Sequence, residues 1–210
     1  MTMQFKVCGI TDMEQAKALD LLGVQYIGFI FYPASKRYAL KDRSLEELSM
    51  FKPSQAKKVG VFVDIPLDEL LSIVQAVGLD LVQLHGDETP AYCAAVRQQV
   101  QVVKVFRVGA AVPDFAPYEN EVDYFLFDTD SALYGGTGRH FNWELIKGIT
   151  IPKPYFLSGG IGPNDVQGVQ VMEKTKAGAS LIALDINSQF ELEPGLKNLE
   201  KIKTFIHAFI

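Results

Sequence analysis

The 210 residues include only two cysteines, three histidines and one tryptophan. Two thiols are too few for a disulfide-stapled scaffold, and they suit a reducing compartment. The histidines at 85, 140 and 207 are scattered, and Cys8 and Cys93 have no ligand spacing between them, so no zinc-site pattern is present. No apolar run reaches the roughly 18 residues of a membrane helix. The opening MTMQFKVCG lacks the basic stretch and apolar core of a signal peptide. A cytoplasmic protein with no membrane partner is therefore the expectation. Basic residues number 20 and acidic residues 25, for a net charge of −5. With no Lys/Arg block, a general nucleic-acid binder is disfavoured, while a local anion site is not. No Pro/Ser-rich linker or low-complexity tract divides the chain. A single domain spanning residues 1–210 is expected.

What the chain does have is one alternation, repeated. Apolar, β-prone runs fall near Phe5–Cys8, Tyr26–Phe29, Lys58–Val63, Leu79–Leu84, Val100–Phe106, Tyr124–Phe127, Tyr155–Leu157 and Leu181–Leu184. Amphipathic stretches lie between them. Asp12 is placed to cap Met13–Leu22, Pro66 precedes Leu67–Val77, and Thr89 is placed to cap a helix opening at Pro90. Further helices are expected at Ser44–Phe51, Asn142–Lys147, Pro163–Thr175 and Gly195–Ala208. Val112–Tyr118 carries two prolines, so an irregular turn is expected there. Strands that alternate with helices pair in parallel through right-handed crossovers. Eight units without a composition shift predict an α/β protein with a closed (β/α)₈ barrel, at the short end of that fold.

Such barrels carry their sites at the C-terminal ends of the strands. Cys8 ends the first strand, and Lys6 shares its face by strand parity. A lysine there favours a thiolate base, although a small buried hydrophobe is the equal alternative. Cys93, among alanines on a helix, reads as core. Asp128 ends Tyr124-Phe125-Leu126-Phe127, and aromatics around a carboxyl favour a general acid, with a helix-capping or loop-bracing aspartate as the alternative. Asp130 competes for that role. The glycines of Leu133–Arg139 suit a mobile lid or an inert connector. Gly159-Gly160 stands between a strand and a helix, where backbone amides and a helix start can receive phosphate; a tight turn that merely needs glycine is the alternative. Arg37 is placed to fork onto a carboxylate or to be a solvated arginine. Gln83 and His85 share parity and either line the site or brace its mouth. Asp185 ends the eighth strand, and His140 and His207 have no partner signal.

Together these residues carry a family likeness. Lys6-Val7-Cys8-Gly9-Ile10-Thr11, Ser35-Lys36-Arg37, Val59-Gly60-Val61-Phe62-Val63 and Val82-Gln83-Leu84-His85-Gly86 occur in order. Phe127-Asp128, Gly135-Gly136-Thr137-Gly138, Leu157-Ser158-Gly159-Gly160-Ile161, Asp185-Ile186-Asn187-Ser188, Glu191 and Pro194-Gly195 follow. The set resembles the phosphoribosylanthranilate isomerase family of tryptophan biosynthesis. The resemblance implies a (β/α)₈ barrel and a cofactor-free Amadori rearrangement of a small phosphosugar. It implies Cys8 as general base, Asp128 as general acid and Arg37 as the contact to the anthranilate moiety. It places the phosphate between Gly159-Gly160 and the Asn187-Ser188 loop. Gln189-Phe190 stands where many members have a glycine-containing turn, which leaves the donors of that loop open. Another phosphosugar barrel, such as indole-glycerol-phosphate synthase, would use a lysine where this chain has Cys8-Gly9. A non-catalytic binding barrel is the other alternative. Monomer and homodimer are both compatible with the sequence.

Overall fold

The first and last strands of the barrel meet along β1 (Gln4–Val7) and β8 (Leu181–Ile186), with Lys6 opposite Asp185 and Val7 opposite Ile186. Between them, in sequence order and all parallel, run β2 (Tyr26–Ile30), β3 (Lys57–Phe62), β4 (Leu81–Leu84), β5 (Gln101–Val108), β6 (Tyr124–Thr129) and β7 (Tyr155–Leu157). The expected (β/α)₈ architecture is thus observed. The computed structural model describes residues 2–129 and 142–209. Each strand lies on its expected apolar run, with ends shifted by only one or two residues.

Strand parity divides the core in two. Outward-facing Phe5, Val7, Ile27, Phe29, Phe125, Phe127 and Leu157 pack under the helices. Inward-facing Tyr26, Val59, Leu81, Val103, Val105, Leu126, Phe156 and Ala183 fill the barrel. The Tyr26 hydroxyl donates to Gln4 Oε1 at 2.9 Å, and its ring meets Phe156 edge-on at 5.0 Å. Further along the inward positions the residues become polar: Lys6, Gln83, Asp128, Ser158 and Asp185. The dry plug closes one end of the barrel, and the polar layer forms the floor of the other. Gly28 belongs to this design, because a Cβ there would stand 3.0 Å from Cys8 Sγ.

Local chemistry sets the helix starts. Asp12 accepts the Glu14 and Gln15 amides at 2.8 and 3.0 Å and starts α1 (Met13–Leu21). Ser44 and Glu47 form a capping box on α2 (Leu45–Met50). α3 (Leu67–Val77) follows Pro66, and Thr89 caps α4 (Pro90–Arg97) with Pro90 in its first turn. After β5 only a 3₁₀ turn, Ala116–Tyr118, forms, as the prolines imply. α5 is limited to Glu144–Lys147. None of the described helices is long and apolar enough to cross a membrane.

Two helix expectations need correction. The segment after β7 opens as a 3₁₀ turn at Pro163–Asp165, and α6 (Val166–Glu173) begins later and ends sooner than expected. The last helix, α7 (Leu199–His207), does not begin at Gly195. Gly195 has φ +93° and turns a small antiparallel hairpin of β9 (Glu191–Glu193) and β10 (Leu196–Lys197). Asn198 then accepts the Lys201 amide at 3.0 Å and sets the helix start.

Candidate active site

Above the polar layer, at the C-terminal ends of the strands, lies a cleft of about 790 Å³, its open mouth included. Cys8, Arg37, Gln83, His85, Asp128, Gly159, Gly160, Asp185, Asn187 and Ser188 all line it. These residues, from six of the eight strand-and-loop segments, thus converge, although Cys8 and Ser188 are 180 positions apart in the chain.

Cys8 follows β1, and its amide donates to the Ile186 carbonyl at 3.0 Å across the barrel closure. Lys6, beneath it, is held 2.9 Å from Asp185 Oδ1, with both side chains almost fully buried. Burial pushes the Cys8 thiol above its ordinary value of 9.0; Lys6 and Lys197 pull it down, and Asp185 opposes them. Lys6 therefore assists the thiolate, as sequence parity suggests, but does not outweigh desolvation. Its charge already has a carboxylate partner. Burial opposes the Lys6 ammonium, yet Asp185 and Cys8 hold it above the usual lysine range.

Asp128 sits on β6 with its side chain reaching the cleft. The Thr129 amide donates to its Oδ1 at 2.8 Å, and its Oδ2 is 3.3 Å from His85 Nε2. Among the described residues, the neighbouring aromatics of the sequence do not crowd Asp128. Phe125 and Phe127 have the opposite parity, and both pack against Phe106 and Phe115 on the helix side of the barrel. His85 Nδ1 lies 3.1 Å from the Gln83 side-chain nitrogen. With that amide donating, the imidazole carries its proton on Nε2, facing Asp128. Gln83 is 1% exposed, and its Oε1 has no hydrogen-bond partner among the described residues.

Arg37 is not the solvated arginine of the alternative reading. Its Nε donates to Glu191 Oε1 at 2.8 Å, and its Nη2 donates to Glu191 Oε2 at 2.6 Å. Glu191 Oε1 also accepts from Lys197 Nζ at 2.6 Å and from the Gly195 amide at 3.1 Å. Burial alone would raise the Glu191 carboxyl, but Arg37 and Lys197 hold it below the usual range. The Glu191 bonds hold the Arg37 guanidinium above its ordinary value, so it stays cationic. Gly9 makes room for this arrangement: a Cβ there would lie 2.6 Å from Arg37 Cδ, and its φ is +74°. Glu191 was visible only as part of the family motif, and Lys197 was missed. The run Glu191-Leu192-Glu193-Pro194-Gly195-Leu196-Lys197 carries a hairpin signal, two short segments around Pro-Gly, that would have brought the two together.

At the other end of the cleft, Gly159 and Gly160 have φ of +89° and +77°. A Cβ on Gly159 would collide with Thr129. Asn187 and Ser188 lead into the 3₁₀ turn Ser188–Phe190, which buries Phe190 beneath it. The helix start expected after the glycines takes another form. The Gly162 amide is taken by Asp165 Oδ2 at 2.6 Å, and the first turn is 3₁₀. Cys93 is fully buried on α4, where burial pushes its thiol up to about 12. His207 is exposed on α7, away from the cleft. Asp130, the Gly135–Gly138 loop and His140 lie outside the described residues.

A family model described as N-(5′-phosphoribosyl)anthranilate (PRA) isomerase matches residues 5–208. An N-(5′-phosphoribosyl)anthranilate isomerase of Parabacteroides distasonis is 35% identical, over 99% of this chain and 94% of that one. The crystal structure of phosphoribosyl anthranilate isomerase from Thermus thermophilus superposes with a TM-score of 0.82 at 30% identity, covering 98% of each chain. A second solved isomerase, in complex with reduced 1-(o-carboxyphenylamino)-1-deoxyribulose 5-phosphate, gives 0.73 at 31% identity, covering 98% of this chain and 97% of that one.

Proposed function

The chain belongs to the N-(5′-phosphoribosyl)anthranilate isomerase family, and on that footing we propose that Cys8 takes and Asp128 gives the protons of its reaction. It is an isomerase of tryptophan biosynthesis, converting N-(5′-phosphoribosyl)anthranilate to 1-(2-carboxyphenylamino)-1-deoxyribulose 5-phosphate. Its ligand is a phosphosugar small molecule. The observation that carries the assignment is that Cys8 and Asp128 line one cleft, with Arg37 and the Gly159-Gly160 turn lining it too.

The chemistry fits these groups. Opening the aminoribofuranose needs a proton on the ring oxygen, which Asp128 supplies as a carboxylic acid. The resulting Schiff base acidifies the proton on C2′. Cys8, as thiolate, removes it, and the enolamine then tautomerises to the ketone. His85 and the Thr129 amide hold the Asp128 carboxyl in place. Arg37 receives the anthranilate carboxylate, and Gly159, Gly160, Asn187 and Ser188 receive the phosphate. Gln83 and Asp185 complete the walls. Two anionic handles far from C2′ fix the reacting centre between acid and base. The chain works as one domain over residues 1–210, in the cytoplasm.

The test is turnover of freshly made N-(5′-phosphoribosyl)anthranilate, followed by its fluorescence, with circular dichroism as the folding control. Cys8→Ser and Asp128→Asn should each fold normally and lose about 10²- to 10⁴-fold in kcat. Well-folded variants with kcat near wild type would refute the assignments.

A further inference from the structure

Arg37, Glu191 and Lys197 form a cluster in which two cations share one carboxylate. The cluster is enclosed: the side chains are 11%, 5% and 0% exposed. Lys197 Nζ donates to Glu191 Oε1 and to Asn187 Oδ1, each at 2.6 Å. Arg37 alone with Glu191 would be a neutral pair, and the pair's dipole attracts a second carboxylate far more weakly than a free cation does. Lys197 adds the second positive charge, which offsets the Cys8 thiolate that it faces; burial works against its ammonium, and Glu191 and Cys8 support it. The nearby Lys6–Asp185 pair is balanced within itself and adds no net charge. Geometry points the same way. Glu191 takes the Nε and Nη2 side of the guanidinium, leaving the Nη1 end for another acceptor.

From this we infer that Glu191 and Lys197 are the specificity-determining pair behind Arg37: Glu191 fixes which edge of the guanidinium meets the substrate, and Lys197 keeps that edge attractive to a carboxylate. The inference rests on the reading of Arg37 as the anthranilate-carboxylate contact. Neither residue is among those lining the cleft, so both act through Arg37 as positioning residues. The hairpin of β9 and β10 gains a purpose, since it delivers both side chains from beyond β8 to a loop that follows β2.

The experiment compares KM and kcat for N-(5′-phosphoribosyl)anthranilate and for the analogue made with aniline, which lacks the carboxylate. Lys197→Met should raise KM for the anthranilate substrate about tenfold or more while changing KM for the aniline analogue about twofold or less. The double variant Lys197→Met/Glu191→Gln removes one charge of each sign, so the net charge of the cluster stays as in the wild type, and the glutamine Oε1 still accepts from the same edge of Arg37. It should return the ratio of the two KM values to within about threefold of wild type. A merely structural role for Lys197 predicts equal loss on both substrates and no rescue, and either result would overturn the inference. Should Lys197→Met fail to fold, the double variant decides alone: a ratio of KM for the aniline analogue to KM for the anthranilate substrate more than about tenfold below wild type refutes the inference. Arg37→Ala separates this from failure of the underlying reading. If that variant loses equally on both substrates, Arg37 does not bind the carboxylate.

Discussion

Lys6 and Asp185, register partners on the two strands that close the barrel, form an ion pair at 2.9 Å that is almost wholly screened from solvent. Removing one member of such a pair leaves the other buried without compensation, at a cost of about 3–5 kcal/mol, whereas removing both costs far less. Lys6→Met should therefore lower the urea midpoint much more than Lys6→Met/Asp185→Asn. The single variant also tests the electrostatics of Cys8. Lys6 pulls the thiol down against burial, so its loss moves the thiol further up. Alkylation of Cys8 by iodoacetamide should rise with pH in the wild type and still be rising at 9.0. At any fixed pH it should be slower in Lys6→Met. An equal rate in both proteins would show that Lys6 does not act on the thiol.

His85 is held between Gln83 and Asp128 at 3.1 and 3.3 Å. If its task is to orient the acid, His85→Asn should reduce kcat by about ten- to a hundredfold with little change in KM. Gln83→Leu, which frees the imidazole to choose its tautomer, should reduce kcat less. A rise in KM with kcat intact would instead make His85 a substrate contact.

The anion end is tested at Gly160. Its φ of +77° and its place in the cleft suit glycine alone. Gly160→Val should raise KM sharply and weaken competitive inhibition by inorganic phosphate in parallel. In crystals, phosphate or sulfate should bind between Gly159-Gly160 and Asn187-Ser188. An anion found only at the Gly135–Gly138 loop would refute this placement.

Asp20 is expected to matter for stability alone. It lies where α1 ends, at the face of the barrel opposite the cleft, and accepts from Ser54 N, Ser54 Oγ, Gln55 N and Ala56 N at 2.7–3.0 Å. Burial would raise its carboxyl, but these donors hold it below its ordinary 3.8. The folded value is below the unfolded one, so this stabilisation is present above about pH 3.8 and is lost as pH falls through the folded value. Asp20→Asn should cost about 1–3 kcal/mol for each donor left unsatisfied and flatten the acid limb of thermal stability. Its kcat and KM should match wild type. A catalytic defect in a folded Asp20→Asn protein would contradict this separation.

Much of the fold was legible before any coordinates. Apolar runs recurring with amphipathic stretches between them determine the strands, because a strand buried on both faces must be apolar nearly throughout. Asp12 and Thr89 announce helix starts because their side-chain oxygens answer amides that nothing else satisfies. Residues at strand ends are candidate site residues because the barrel gathers those ends at one face. Parity alone also puts Lys6 beside Cys8. What tertiary structure decided is whatever depends on neighbours distant in sequence. Lys6 does not bring the Cys8 thiol down as parity suggests, because burial outweighs it and Asp185, 179 positions away, pairs with its ammonium. Asp128 meets His85 rather than the aromatics beside it in sequence, because alternation turns those rings out of the barrel. Arg37 is buried and oriented because Glu191, 154 positions on, takes one side of its guanidinium. Local sequence encodes backbone preference and burial pattern, whereas the partner of a charge is set only when the chain closes on itself.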